Sequence, residues 1–110
     1  MSLEQRIRKT YDAFNERDET TALAGLDPEV RWDDGEGHML IGKQAVAVHW
    51  REQWRKTDAR VLIDSMEWQD GALILGVTLH VKQANGTATS QTVRNTICFS
   101  DDLIASMQIG

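Results

Sequence analysis

The chain has 110 residues, 41% of them hydrophobic and 26% charged, with a formal net charge of −5, which fits one globular domain spanning 1–110 and large enough to bury a core without disulfide or metal. No apolar run approaches the roughly 20 residues of a membrane-spanning helix, and the acidic balance argues against nucleic acid, whose binders carry a basic face. The N-terminal segment lacks the apolar core of a signal peptide and Cys98 has no second cysteine to pair with, so the expected location is cytoplasmic.

Leu3, Ile7, Tyr11 and Phe14 recur at three- to four-residue steps and predict a helix over 3–16. Asp18 or Thr20 can cap a short second helix over 18–26, stopped by Asp27-Pro28. A short strand at 30–34 follows, in which alternation puts Val30, Trp32 and Asp34 on one side and leaves Asp33 exposed on the other. Gly35 to Gly42 reads as a loop with three glycines. Lys43 to Lys56 contains no helix breaker and spaces Val46, Trp50 and Trp54 by four, which predicts the best helix of the chain. From Val61 onward the apolar period changes to two, through Leu73–Val81, Val93–Phe99 and Leu103-Ile104, punctuated by the hairpin dipeptides Asp70-Gly71 and Asn85-Gly86. This order predicts an α+β fold with helices on one face of a mostly antiparallel sheet. Cys98, flanked by Ile97 and Phe99, reads as a buried structural thiol, Trp68 as structural, His38 as a solvated loop residue, and His49 as a surface or interface residue.

Four segments carry a family resemblance: Tyr-Asp-Ala-Phe-Asn-Glu-Arg-Asp at 11–18, Asp-Pro-Glu-Val-Arg-Trp at 27–32, Gly-Lys-Gln-Ala-Val at 42–46 and Leu-Ile-Ala-Ser-Met at 103–107. With them the chain resembles the nuclear transport factor 2-like superfamily, of cystatin-like fold, in its SnoaL-like and ketosteroid-isomerase-like branch. The resemblance implies a cone-shaped, curved, mixed but mostly antiparallel sheet with the three helices of the N-terminal half on its concave face. It specifies fold better than chemistry, because the branch holds isomerases, cyclases, dehydratases, epoxide hydrolases and proteins of no known activity.

Carried over in an ungapped register, Asp34 falls where ketosteroid isomerases keep their general base, and Asn95 where they keep an oxyanion-hole acid. Thr10 falls at the oxyanion-hole tyrosine, with Tyr11 one position on and so about 100° further round the helix. The same register implies that Thr78 and His80 face the pocket. It turns the row Leu75, Val77, Leu79 and Val81 outward, which implies a homodimer covering that row.

The candidate catalytic residues are therefore Asp34, Asn95 and His80. Trp32, Trp50 and Trp54 offer large apolar walls, and Thr10, Phe14, Thr78, Gln91, Val93, Met107 and Ile109 complete the expected ligand-binding set. Plainer roles stand beside these: Asp34 can form the glycine-loop turn, His80 can be an interface histidine, and the tryptophans can be core. An acid in such a pocket is expected to have a raised pKa. No metal-ligand spacing, phosphate loop or dinucleotide fingerprint is present, so neither metal nor cofactor is expected. The resulting expectation is a small-molecule pocket protein whose ligand is a small apolar or cyclic organic compound. Asp34 would take a proton beside a carbonyl while Asn95 stabilises the enolate oxygen. The alternatives are a non-catalytic ligand-binding or dimerisation module and a cofactor-free epoxide or ester hydrolase.

Overall fold

The computed structural model describes residues 1–110. In chain order the elements are α1 (Leu3–Asn15), α2 (Glu19–Ala24), β1 (Leu26–Asp33), β2 (Met39–Ile41), α3 (Lys43–Lys56), β3 (Thr57–Gln69), β4 (Ala72–Gln83), β5 (Ala88–Ser100) and β6 (Leu103–Ile109). The strands form one sheet in the order β2-β1-β6-β5-β4-β3, antiparallel throughout except where β1 runs parallel to β6. This is the expected α+β, mixed and mostly antiparallel architecture. Irregular registers within the β3–β4, β5–β6 and β1–β6 pairs bend the strands, as extra residues in a ladder do.

Local chemistry explains most boundaries. Ser2 caps α1 by accepting the Gln5 N–H at 3.1 Å, while the Gln5 side chain accepts the Ser2 N–H at 2.8 Å, a reciprocal capping box. Asp18 caps α2 through the Thr21 N–H. The second helix is shorter than expected because Leu26 already belongs to β1; Pro28 is accommodated inside that strand where no paired register runs between Leu26 and Arg31. The glycine loop contains the short strand β2, which pairs with residues 31–33 of β1. Asp70 and Gly71 both take positive φ, 50° and 82°, the conformation of a two-residue hairpin turn. No helix is long and apolar enough to cross a membrane.

The faces of β4 are reversed relative to the carried-over register. Leu73, Leu75 and Val77 are buried, and their cross-strand partners Ile97, Asn95 and Val93 share the inner face. Gly76, Thr78 and His80 therefore point outward. The apolar row lies in the core, not on an outer surface, so the exposed patch that implied a homodimer does not exist. The cause is the period of two: a one-residue slip before β4 exchanges the two faces of that strand, and β3 carries one extra residue between Ile63 and Ser65, while a sheet covered on one side turns its apolar parity to that cover. Cys98 is likewise exposed rather than buried, because it alternates with the inward-facing Ile97.

α1 and α3 lie across the inner face, α1 against β3 and β6, α3 against β1, β2 and β3. Ile7, Tyr11, Phe14, Val46 and Trp50 from these helices join Leu26, Val30, Leu75, Ile97 and Ile104 of the sheet in one buried cluster. Asn15 ties α1 to β3: its Nδ2 donates to the Val61 carbonyl and its Oδ1 accepts the Val61 N–H, both at 2.8 Å.

Candidate functional site

Helices that cover a sheet without filling it leave a cavity, here of about 320 Å³, within the size range of small-molecule sites. Phe14, Trp32, Trp50, Val61, Val77, Leu79, Val93, Met107 and Ile109 form its apolar walls. Trp50 is the corner of that wall, meeting Trp32 edge to face at 5.3 Å and 87° and Phe14 at 5.7 Å and 70°, the arrangement aromatic quadrupoles favour. Trp54 does not line the cavity. One turn along α3, it packs 5.5 Å from Phe14 and 6.2 Å from Trp50, bracing them from behind, with a buried Nε1 that has no partner.

The polar lining comes in two groups. Tyr11, Thr10 and Asn95 are nearly fully buried. Asn95 Nδ2 donates to the Tyr11 hydroxyl oxygen at 2.8 Å, and burial holds the Tyr11 hydroxyl well above the usual phenol range, an effect the Asn95 hydrogen bond only partly offsets. Asn95 Oδ1 and Thr10 Oγ1 are buried without partners; Oγ1 lies so close to Gly25 that a Cβ there would collide with it.

The second group is Asp33, Asp34, Glu36, His49, Gln53 and Gln91. The Asp34 side chain is 10% exposed. Its Oδ1 accepts the N–H groups of Glu36 at 2.7 Å and His38 at 3.1 Å, and its Oδ2 lies 3.3 Å from His38 Nδ1. The loop thus folds around the carboxylate, so Asp34 forms a turn and lines the cavity at once. These contacts reverse the expected pKa shift: the Glu36 N–H holds the carboxyl below its ordinary value, desolvation opposes this, and the His38 N–H and the charges of His38 and His49 add to the lowering. Asp33 is not simply exposed. Its Oδ1 accepts the Gly35 N–H at 2.8 Å and its Oδ2 the Ile109 N–H at 3.0 Å, joining the end of β1 to the end of β6. Both carboxylates reach the cavity because β1 ends at Asp33 and alternation stops there.

Of the residues expected at a ligand, the structure brings Asp34, Asn95, Thr10, Phe14, Trp32, Trp50, Gln91, Val93, Met107 and Ile109 to this cavity. It does not bring His80 or Thr78. His80 Nδ1 sits 2.6 Å from Ser90 Oγ and Thr78 donates to Asp64, both on the outer face. Glu36 and Gln53 line the cavity without having been singled out, Tyr11 lines it one position on from Thr10, and Asp33 and His49 line it although an exposed and a surface place are expected for them. Tyr11 lies on the same helical stripe as Ile7 and Phe14, and a buried tyrosine needs a partner for its hydroxyl. His49 and Gln53 flank Trp50 at −1 and +3, on the side of α3 facing the cavity.

Structures of other proteins share this fold. A nuclear transport factor 2-like protein of unknown function from Burkholderia pseudomallei is 24% identical, over 100% of this chain and 91% of that one, with a TM-score of 0.87. A Pseudomonas putida protein proposed to be a polyketide cyclase is 20% identical, over 100% and 91%, with a TM-score of 0.89. The Δ5-3-ketosteroid isomerase of a Mycobacterium species is 15% identical, over 98% and 91%, with a TM-score of 0.86. At these identities the likeness is one of fold. No curated protein matches the sequence. The model of the SnoaL-like domain matches residues 7–107, nearly the whole of the chain whose cavity is described above, and the protein belongs to the SnoaL-like domain family.

Proposed function

We propose that the cavity binds a small cyclic organic compound and that Asp34 accepts a proton from a carbon beside its carbonyl group, the first step of an isomerisation or cyclisation. The observation that carries this reading is a carboxylate only 10% exposed in the lining of a largely apolar cavity that also holds the buried Tyr11–Asn95 pair. Tyr11 accepts from Asn95 through its oxygen, so its own proton is free to be donated to a ligand oxygen, where charge develops as the carbon proton leaves. The fold neighbours proposed or named as a polyketide cyclase and a ketosteroid isomerase act on compounds of this kind by name.

The two loop N–H groups on Asp34 Oδ1 narrow the substrate class, because they favour the charged form of the carboxylate. Asp34 stays in its basic form at neutral pH, but a weak base matches only a carbon whose proton is already acidic. That points to a carbon activated on both sides, by a carbonyl and by a second carbonyl, an alkene or an aryl ring. Epoxide or ester hydrolysis assisted by an arginine has less support, since no arginine lines the cavity. The hydrogen bonds that commit Asp34 to its own loop favour a second reading, ligand binding without chemistry. A screen of cyclic ketones for proton–deuterium exchange at the activated carbon separates the two. Exchange by the wild type that is absent in Asp34→Asn supports proton transfer; binding without exchange supports the second reading.

A further inference from the structure

The loop after β1 brings one histidine ring to Asp34 and holds it there. The Asp34 N–H donates to the His38 carbonyl at 3.0 Å and the His38 N–H returns to Asp34 Oδ1 at 3.1 Å, beside the Asp33–Met39 pair of β1 and β2. The two oxygens of the carboxylate differ as a result. Oδ1 accepts two N–H groups, from Glu36 and His38, which occupy its lone pairs. Oδ2 is left to take up a proton, and the protein group that meets it is His38 Nδ1, at 3.3 Å. The Asp34 side chain is 10% exposed and that of His38 75%, so one ring reaches from a nearly buried oxygen to bulk water.

We infer that His38 is the route by which the proton taken up by Asp34 leaves for solvent, and by which a solvent proton returns, while the ligand stays bound. The inference rests on Asp34 being a proton acceptor and adds where its proton goes. The carbon proton passes to Asp34 Oδ2. An exposed imidazole exchanges its tautomers through water, and in the Nε2–H form Nδ1 takes the Asp34 O–H proton while Nε2 releases its own to water. The same steps in reverse return a solvent proton to the carbon, and each step moves one proton between named atoms. A ligand filling the cavity closes the other way out, and His49, the second histidine of the lining, makes no ion pair with Asp34. Without the ring, the proton stays on Asp34 and falls back to the carbon it left.

Deuterium exchange at C1 of 2-tetralone, followed by NMR in deuterium oxide near neutral pH with the full chain, tests it. In the wild type, exit through the ring outpaces removal of the carbon proton. His38→Gln keeps a hydrogen-bond donor that cannot relay, and His38→Ala removes the ring; both retain the backbone N–H that Asp34 accepts. Each variant is expected to slow exchange at least about tenfold. Added imidazole should restore His38→Ala toward the wild-type rate, measured against the same imidazole with Asp34→Asn. A merely structural ring would be replaced by Gln and not by free imidazole. Wild-type exchange in His38→Gln or His38→Ala, or slow exchange that imidazole leaves slow, overturns the inference while leaving Asp34 as the acceptor. No exchange by the wild type overturns both.

Discussion

Asn95 on β5 and Tyr11 on α1, 84 residues apart in the chain, share one buried hydrogen bond of 2.8 Å. It fixes the helix to the sheet at the cavity and sets which polar groups remain for a ligand. Tyr11→Phe deprives Asn95 Nδ2 of its acceptor and should destabilise the fold by about 1–3 kcal/mol. In a double-mutant cycle with Asn95→Leu, chemical denaturation should give a coupling of about 0.5–3 kcal/mol. Additive losses would mean the bond contributes nothing.

Asn15 makes the other polar tie between α1 and the sheet, with two hydrogen bonds to the backbone of Val61. Asn15→Ala leaves a half-buried N–H and carbonyl of β3 without these partners and should lower the denaturation midpoint by the equivalent of about 1–3 kcal/mol. Because Val61 lines the cavity, the same variant should also weaken ligand binding. An unchanged midpoint would contradict the tie.

Asp34 gives a pH dependence whose sign follows from its contacts. Its folded-state pKa is depressed, chiefly by the Glu36 N–H, so its contribution to stability is present above the unfolded value of about 3.9 and is lost as pH falls through the lower folded value. Asp34→Asn keeps an acceptor for the loop but cannot titrate. The stability difference between wild type and variant, followed by thermal melts, should be constant at neutral pH and shrink as pH drops below about 4. A difference that grew on acidification would indicate a raised pKa.

His80 is a control. It lies on the outer face, paired with Ser90, so His80→Ala should leave ligand affinity unchanged and stability within about 0.5 kcal/mol. A loss of affinity by calorimetry would place it back at the site.

The elements of this fold are largely legible from periodicity and punctuation. The Leu3–Phe14 stripe, the unbroken Lys43–Lys56 segment and the Asp70-Gly71 turn each carry their own local cause. The site is legible only where local geometry decides it. Asn95 and Val93 share an inner face with Met107 and Ile109 by strand parity, yet Thr78 and His80 face outward against the carried-over register, because one slip before β4 inverts both faces and β3 holds an extra residue between Ile63 and Ser65. The apolar character of Leu73, Leu75 and Val77 pointed the right way and outweighs that register. The lowered pKa of Asp34 was not legible, since it depends on two N–H groups contributed by the fold of the glycine loop.

The most direct test of the account is the rate of deuterium exchange at C1 of 2-tetralone, flanked by a carbonyl and an aryl ring, measured by NMR against pH. The account predicts acceleration by the wild type that is flat from about pH 5 to 7 and falls only below the ordinary carboxylate value of about 3.9, because the contacts of Asp34 lower its pKa. Asp34→Asn should show only the buffer rate. Equal acceleration by Asp34→Asn, or none by the wild type over that range, would contradict Asp34 as the proton acceptor.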